Sequence, residues 1–299
     1  TLGLLLFKDL LETETGGKIT VDVYPNSQLG SERESVEQVR NGTLEMATAS
    51  AGPLTTFDKN FMLMDIPFAY DTYEEAWATL DGQAGQDLLN SLESVGLKGL
   101  SYMENGFRHI TNTQNSISKP SDLNGLKIRT MEAPMHMANF TNLGANPTPV
   151  PWSELYMSMS QKIVDGQENP LANIWELNMY EVQDYVSLTG HIYDAMPLVT
   201  NLDWFNDLPI KYQALIKEAA ILGANHSRFV NVSRENQIIE MLEERGMEIN
   251  DLTVDEKDAL WEASQAAIIE EVKGEIAPEI VDQYLDAIKE VRRQMNEGL

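Results

Sequence analysis

Between positions 104 and 170 the chain reads Glu104-Asn105-Gly106-Phe107-Arg108-His109, then Leu126-Lys127-Ile128-Arg129-Thr130-Met131, then Asp165-Gly166-Gln167-Glu168-Asn169-Pro170. Phe107 to Asn112 and Leu126 to Met131 are short and strand-like, and each carries one arginine among largely apolar neighbours. A cation in such a segment needs an anion or several acceptors, because an unpaired buried charge is costly. A guanidinium is a planar fork that matches the two oxygens of a carboxylate and fixes its orientation. Arg108 and Arg129 therefore read as a clamp for an organic acid, with an internal salt bridge as the alternative for each.

Outward from this stretch, strand-like and helix-like segments alternate, which is the α/β pattern. Leu2 to Glu14 reads as a helix ended by Gly16-Gly17. Ile19, Val21 and Val23 alternate with polar residues, so Lys18 to Tyr24 reads as a strand. Ser31 is an N-cap for a helix through Arg40. Further strands are expected at Glu45 to Ser50, Leu97 to Tyr102, Ile163 to Asn169, Tyr185 to Leu188 and Leu198 to Asn201. Helices are expected from Thr72, over Ala84 to Val95, after Pro134 and near Trp152. Pro147, Pro149 and Pro151 mark an extended segment. Ile210 to Arg245 holds no proline and one glycine, and reads as a single helix of about 35 residues, about 50 Å long at 1.5 Å per residue. That is longer than one small domain, so it spans two. Helices after Thr253 and Pro278 close the chain.

Composition narrows the function. The 299 residues carry 21 Lys plus Arg against 47 Asp plus Glu, a net charge of −26. Such a surface has no basic patch for phosphates, so no nucleic-acid partner is expected. The absence of cysteine removes thiol catalysis, disulfides and cysteine metal sites. No apolar run approaches the ~18 residues of a membrane span. The opening Thr1-Leu2-Gly3-Leu4-Leu5-Leu6-Phe7 is already helix-like and reads as a trimmed form. Phosphate-loop, dinucleotide, nucleophile-elbow and zinc-protease motifs are missing, and His109, His136, His191 and His226 lack metal-ligand spacing. No catalytic residue, metal or cofactor is expected.

Several segments resemble the extracytoplasmic solute-binding proteins of tripartite ATP-independent periplasmic (TRAP) transporters, of the dicarboxylate-binding type. They are Gly16-Gly17-Lys18-Ile19 leading to Tyr24-Pro25-Asn26-Ser27-Gln28-Leu29-Gly30, then Glu104 to His109, Asp122 to Arg129, and Asp165 to Pro170. The resemblance implies a two-domain, periplasmic-binding-protein-like α/β fold with an interdomain cleft and a long helix across both domains. The boundaries expected are 1–105 plus 196–234 for the first domain, and 106–195 plus 235–299 for the second. It also implies a ligand carboxylate held by Arg129, a second cationic contact from Arg108, a hydrogen bond from Asn169 and an aromatic contact from Trp152. Family members begin with a strand that reaches the cleft, and this sequence begins after it.

Asn105 and Glu132 are further cleft candidates, and with Glu104 and Asn201 they favour a hydroxylated acid. Glu168 reads as structural, since its charge would repel an acid. The expectation is a periplasmic, non-catalytic binding protein that carries a small organic acid, a sugar acid or dicarboxylate, to the membrane subunits of a TRAP transporter. The alternatives are a carboxylate-dependent enzyme on acidic sugars, or the binding subunit of an ATP-driven importer or a sensor.

Overall fold

The computed structural model describes residues 1–298; Leu299, which the expected second domain includes, lies outside the described residues. Two lobes share one strand. The helices in chain order are α1 (Leu2–Thr15), α2 (Glu32–Arg40), α3 (Ala51–Leu54), α4 (Tyr73–Asp81), α5 (Gln83–Ser91), α6 (Pro134–Asn142), α7 (Leu155–Ser160), α8 (Leu171–Glu176), α9 (Leu202–Asp207), α10 (Ile210–Glu244), α11 (Val254–Glu275) and α12 (Pro278–Glu297). The strands are β1 (Met46–Thr48), β2 (Leu97–Asn112), β3 (Lys127–Thr130), β4 (Asn146–Pro149), β5 (Gly166–Pro170), β6 (Tyr185–Ser187), β7 (Tyr193–Asn201) and β8 (Glu248–Asn250).

The 16-residue β2 joins the lobes. Its first part, Leu97 to Phe107, pairs antiparallel with β7, which pairs in turn with β1. Its last part, Arg108 to Asn112, pairs with β5, and β6 pairs with Ile110 to Asn112. β3 lies parallel to β5, and β4 parallel to β3 at the far edge. Pro147 and Pro149 have no N–H to give, so an edge strand is where they are tolerated.

Leu97 to Tyr102 and Phe107 to Asn112, expected as separate strands, are one continuous strand in β2. Between them lies a bulge: the register with β7 shifts between Glu104 and Gly106, leaving Asn105 as the extra residue. Gly106 has φ 118°, a backbone angle that a side chain disfavours.

A second difference concerns Lys18 to Tyr24, expected as a strand. The segment bends at Lys18 and Ile19 and joins no ladder. Side chains of α1 hold it instead: Lys8 Nζ donates to the Val21 carbonyl at 2.6 Å, and Glu12 Oε1 accepts from Val21 N at 3.0 Å. Alternation shows that a segment has two faces; a ladder also needs a neighbouring backbone.

Local signals place the helices. Ser31 and Glu34 form a reciprocal capping box at α2, and Thr253 and Glu256 form another at α11. α1 ends at Gly16 in the left-handed region. α10 is 35 residues long. Its Ile216, Ala219, Ala220 and Ala224 pack with Phe7 and Leu11 of α1, while Ile238 and Leu242 belong to the core of the second lobe with Leu155, Ile174 and Val186.

The expected boundaries place 235–299 with the second domain, but the C-terminal helices do not stay there. Leu260 of α11 packs among Ile110, Ile128 and Phe140, whereas Ile268, Val272, Val281, Tyr284 and Ile288 join the first-lobe core of Leu80, Leu89 and Tyr193. The Tyr70 and Tyr284 hydroxyls meet at 2.6 Å, and Arg292 Nε lies 2.8 Å from Glu75 Oε1. The apolar stripe of α12 is therefore covered by α4 and α5. Periodicity reveals the stripe but not which lobe covers it.

Candidate functional site

Where β2 crosses between the lobes, the walls enclose a cleft of about 360 Å³. Glu32 and Ser50 line it from the first lobe, Glu104 and Asn105 from the crossing, and Arg108, Arg129, Met131, Trp152, Asn169 and Asn173 from the second.

Arg129 is 2% exposed, on β3. Among the described residues its guanidinium makes one hydrogen bond, from Nε to the Val150 carbonyl at 2.8 Å, and no ion pair. Nη1 is buried with no partner. Burial pushes its pKa down to about 10 against the pull of Glu168, the mark of a cation that is poorly compensated. A dry cation with an idle donor, facing a cleft, is set up for a carboxylate guest.

Arg108 sits in a different state. It is wholly buried, and four hydrogen bonds occupy its guanidinium. Nε and Nη2 donate to the Glu168 carboxylate, Nη2 also to the Glu168 carbonyl at 2.6 Å, and Nη1 to Asp194 Oδ2 at 2.5 Å. Desolvation works against its charge, but Glu168 and Asp194 outweigh it and hold the pKa above the usual arginine value. Of five guanidinium N–H groups, at most one is left for a guest. The geometry makes Arg108 first a structural ion pair that ties β2 to β5 and β7.

Glu168 anchors a wider buried network. Besides Arg108 it lies 3.3 Å from His136 Nδ1 and 3.3 Å from His191 Nε2, and His136 Nε2 lies 3.3 Å from Asp65. Burial alone would lower the His136 pKa, yet Asp65 and Glu168 raise it to about 9, so the ring is cationic at neutral pH.

The amides form a chain along the wall. Asn169 Nδ2 donates to Gln167 Oε1 at 2.5 Å. Asn173 donates to Asn169 at 3.2 Å and to Asn105 at 3.0 Å. Asn105 then donates to Asp194 at 2.8 Å. Asn169 and Asn105 are thus oriented by neighbours before any guest arrives. Trp152 is half-buried at the cleft edge.

Glu132 is not among the lining residues and is exposed. It follows the end of β3, where period-two alternation carries Arg129 and Met131 to the cleft and turns the next residue away. Asn201 is also elsewhere: it caps α9 through Trp204 N at 2.9 Å and donates to the Val39 carbonyl at 3.0 Å.

Sequence reasoning missed Glu32, Ser50, Asn173 and Asn231. An acid in the first turn of a helix reads as a complement to the helix dipole, which hides Glu32. In the fold its Oε1 accepts from Ser50 N at 3.2 Å. Burial and, after it, Asp194 push its pKa up to about 7. Burial likewise pushes Glu104 up to about 7, although Trp77 and Tyr193 donate to it.

Comparison with known proteins adds independent findings. Residues 1–274 match the DctP family model, described as bacterial extracellular solute-binding protein, family 7. The 2,3-diketo-L-gulonate-binding periplasmic protein YiaO of Escherichia coli is 36% identical over 243 residues, 81% of this chain and 74% of that protein. The C4-dicarboxylate-binding periplasmic protein DctP of Rhodobacter capsulatus is 30% identical over 291 residues, 96% and 85% of the two chains. Among solved structures, the sugar acid binding protein DctPAm of Advenella mimigardefordensis, in complex with galactonate, superposes with a TM-score of 0.93 at 32% identity, covering 97% of this chain and 93% of its own.

Proposed function

The chain belongs to family 7 of the bacterial extracellular solute-binding proteins and is of the TRAP type, and from that premise we propose that it captures a small organic acid by a bidentate contact to Arg129. The observation that carries the reading is the unpartnered, desolvated Nη1 of Arg129 in the cleft wall. Asn169 and Asn105 add neutral donors and acceptors already held by hydrogen bonds, and Trp152 closes the edge. A guest that touches both lobes shifts the population toward a closed state. The closed form is what membrane subunits receive, in the periplasm, without chemical change to the cargo. The relatives' ligands, 2,3-diketo-L-gulonate, C4-dicarboxylates and galactonate, all carry a carboxylate for such an arginine.

Removing one partner of a desolvated charge pair costs about 3–5 kcal/mol. Arg129→Ala is expected to weaken acid binding by about 10²–10³-fold or more in calorimetry. Unchanged affinity in a folded Arg129→Ala protein removes the proposal. A bound acid recovered unaltered after long incubation distinguishes carriage from the alternative of an enzyme on acidic sugars.

A further inference from the structure

We infer that Asn173 is a positioning residue: its amide ties the guest-facing Asn169 of the second lobe to Asn105 at the crossing, so that the two act on a guest as one unit. The inference rests on the Arg129 reading and concerns how the same cleft is held ready.

An amide is ambiguous by itself. Its oxygen accepts, its NH2 donates, and a half-turn of the group exchanges them. Before an anionic guest the two orientations have opposite effects, because a carboxylate only accepts. Asn169 is 3% exposed, Asn105 is half-buried, and both line the cleft. What each presents is therefore set by the neighbours it already bonds.

The setting begins at Asp194 on β7. Its Oδ2 accepts from Arg108 Nη1 at 2.5 Å, from Ser50 Oγ at 3.2 Å and from Asn105 Nδ2 at 2.8 Å. A carboxylate oxygen beside a guanidinium is an acceptor, so Asn105 turns its NH2 to Asp194 and its own oxygen the other way. That oxygen accepts from Asn173 Nδ2 at 3.0 Å, and the same nitrogen donates to Asn169 Oδ1 at 3.2 Å. With its oxygen taken, Asn169 gives one N–H to Gln167 Oε1 and keeps the other for a guest. Gln167 Nε2 then donates to Thr111 Oγ1 at 2.9 Å, and Thr111 donates to Gln183 Oε1 at 2.9 Å.

Two donor chains thus diverge from one nitrogen. One runs from Asn173 through Asn105 to the first lobe, the other through Asn169 into the second. Heading both takes two hydrogens on a single atom. A hydroxyl has one, a carboxylate none, and an uncharged side chain of this length has two only as an amide. Among the described residues Asn105 and Asn169 share no direct hydrogen bond, and Asn173 is the side chain bonded to both. Linked hydrogen bonds in a dry wall polarise one another, so the energy that Asn105 and Asn169 share passes through Asn173.

The test is a mutant cycle read by calorimetry. Asn105→Ala, Asn169→Ala and their double variant are titrated first with Asn173 intact and then in Asn173→Ala. The probes are D-galactonate, 2,3-diketo-L-gulonate and succinate, and the cycle uses whichever binds the wild type most tightly. Asn173→Ala alone is expected to weaken that acid by about tenfold. With Asn173 present, the Asn105 and Asn169 effects are expected to depart from additivity by about threefold or more. In Asn173→Ala they add, while the thermal midpoints of the unliganded proteins show the fold intact. Should Asn173→Ala not fold, Asn173→Leu, close in size and without a donor, takes its place. Additive effects with Asn173 intact, or a coupling that persists without it, overturn the relay; if Arg129→Lys still weakens the same acid, the arginine reading stands. Should no probe bind in a way that depends on Arg129, both readings fall together.

Discussion

Two arginines that look alike in sequence end in opposite electrostatic states. Both Arg108 and Arg129 sit in short, largely apolar strand segments, and both are buried. What separates them is the partners that long-range pairing brings. The register of β2 with β5 and β7 delivers Glu168 and Asp194 to Arg108, from 60 and 86 residues away. Among the described residues no carboxylate hydrogen-bonds Arg129. Local pattern thus reveals that a cation is in the wall, and only the fold reveals whether it is already neutralised. The same network yields a prediction for His136. Its pKa is near 6.5 in an unfolded chain and raised to about 9 in the fold. The native state therefore holds more protons between those values, and stability from this ring is full below pH 6.5 and lost as pH rises through about 9. The thermal midpoint is expected to fall by about 5 °C between pH 7 and pH 9. In His136→Gln that slope flattens; a slope that persists unchanged assigns the effect to other groups.

At the scale of elements, legibility followed the reach of each signal. Caps, glycine stops and an uninterrupted helical run act within a few residues, and α1, α2, α10 and α11 were readable for that reason. β8, and the lack of any ladder partner for Lys18 to Tyr24, depend on distant chain, and they are not readable from local pattern. The packing of α1 on α10 shows a further contact that sequence alone hides. A Cβ at Gly3 would stand 2.4 Å from the Gly223 carbonyl oxygen, and one at Gly223 would stand 2.7 Å from the Gly3 carbonyl oxygen. The two backbones touch at this pair. Gly223→Ala improves helix propensity by about 1 kcal/mol, yet it must push α1 away from α10. Overpacking of this kind costs about 1–3 kcal/mol, so a net loss of stability in urea is expected. A stabilised variant would show that the pair yields freely.

Across the whole molecule, three observations converge. The cleft lies between lobes that share β2, α10 reaches both, and α11 and α12 return from the second lobe to the first. The lobes are thus tied by a strand, a long helix and a C-terminal return, with the guest between them. An acid at 100 times its dissociation constant is expected to add about 2.7 kcal/mol to stability. The neutral sugar galactose at the same concentration is expected to add nothing measurable, because it leaves Arg129 without an anion. Thermal-shift measurements on the pair decide this. An equal shift from both would mean that the walls recognise hydroxyls alone.

The bulge at Asn105 carries a mechanical meaning. Glu104 and Asn105 are residues a guest can touch, and they are also where the strand joining the lobes slips out of step with β7. A cargo molecule that grips them pulls on the fulcrum itself, so recognition and movement share one lever, and stiffening that joint should alter how readily the jaws shut before it alters what they hold.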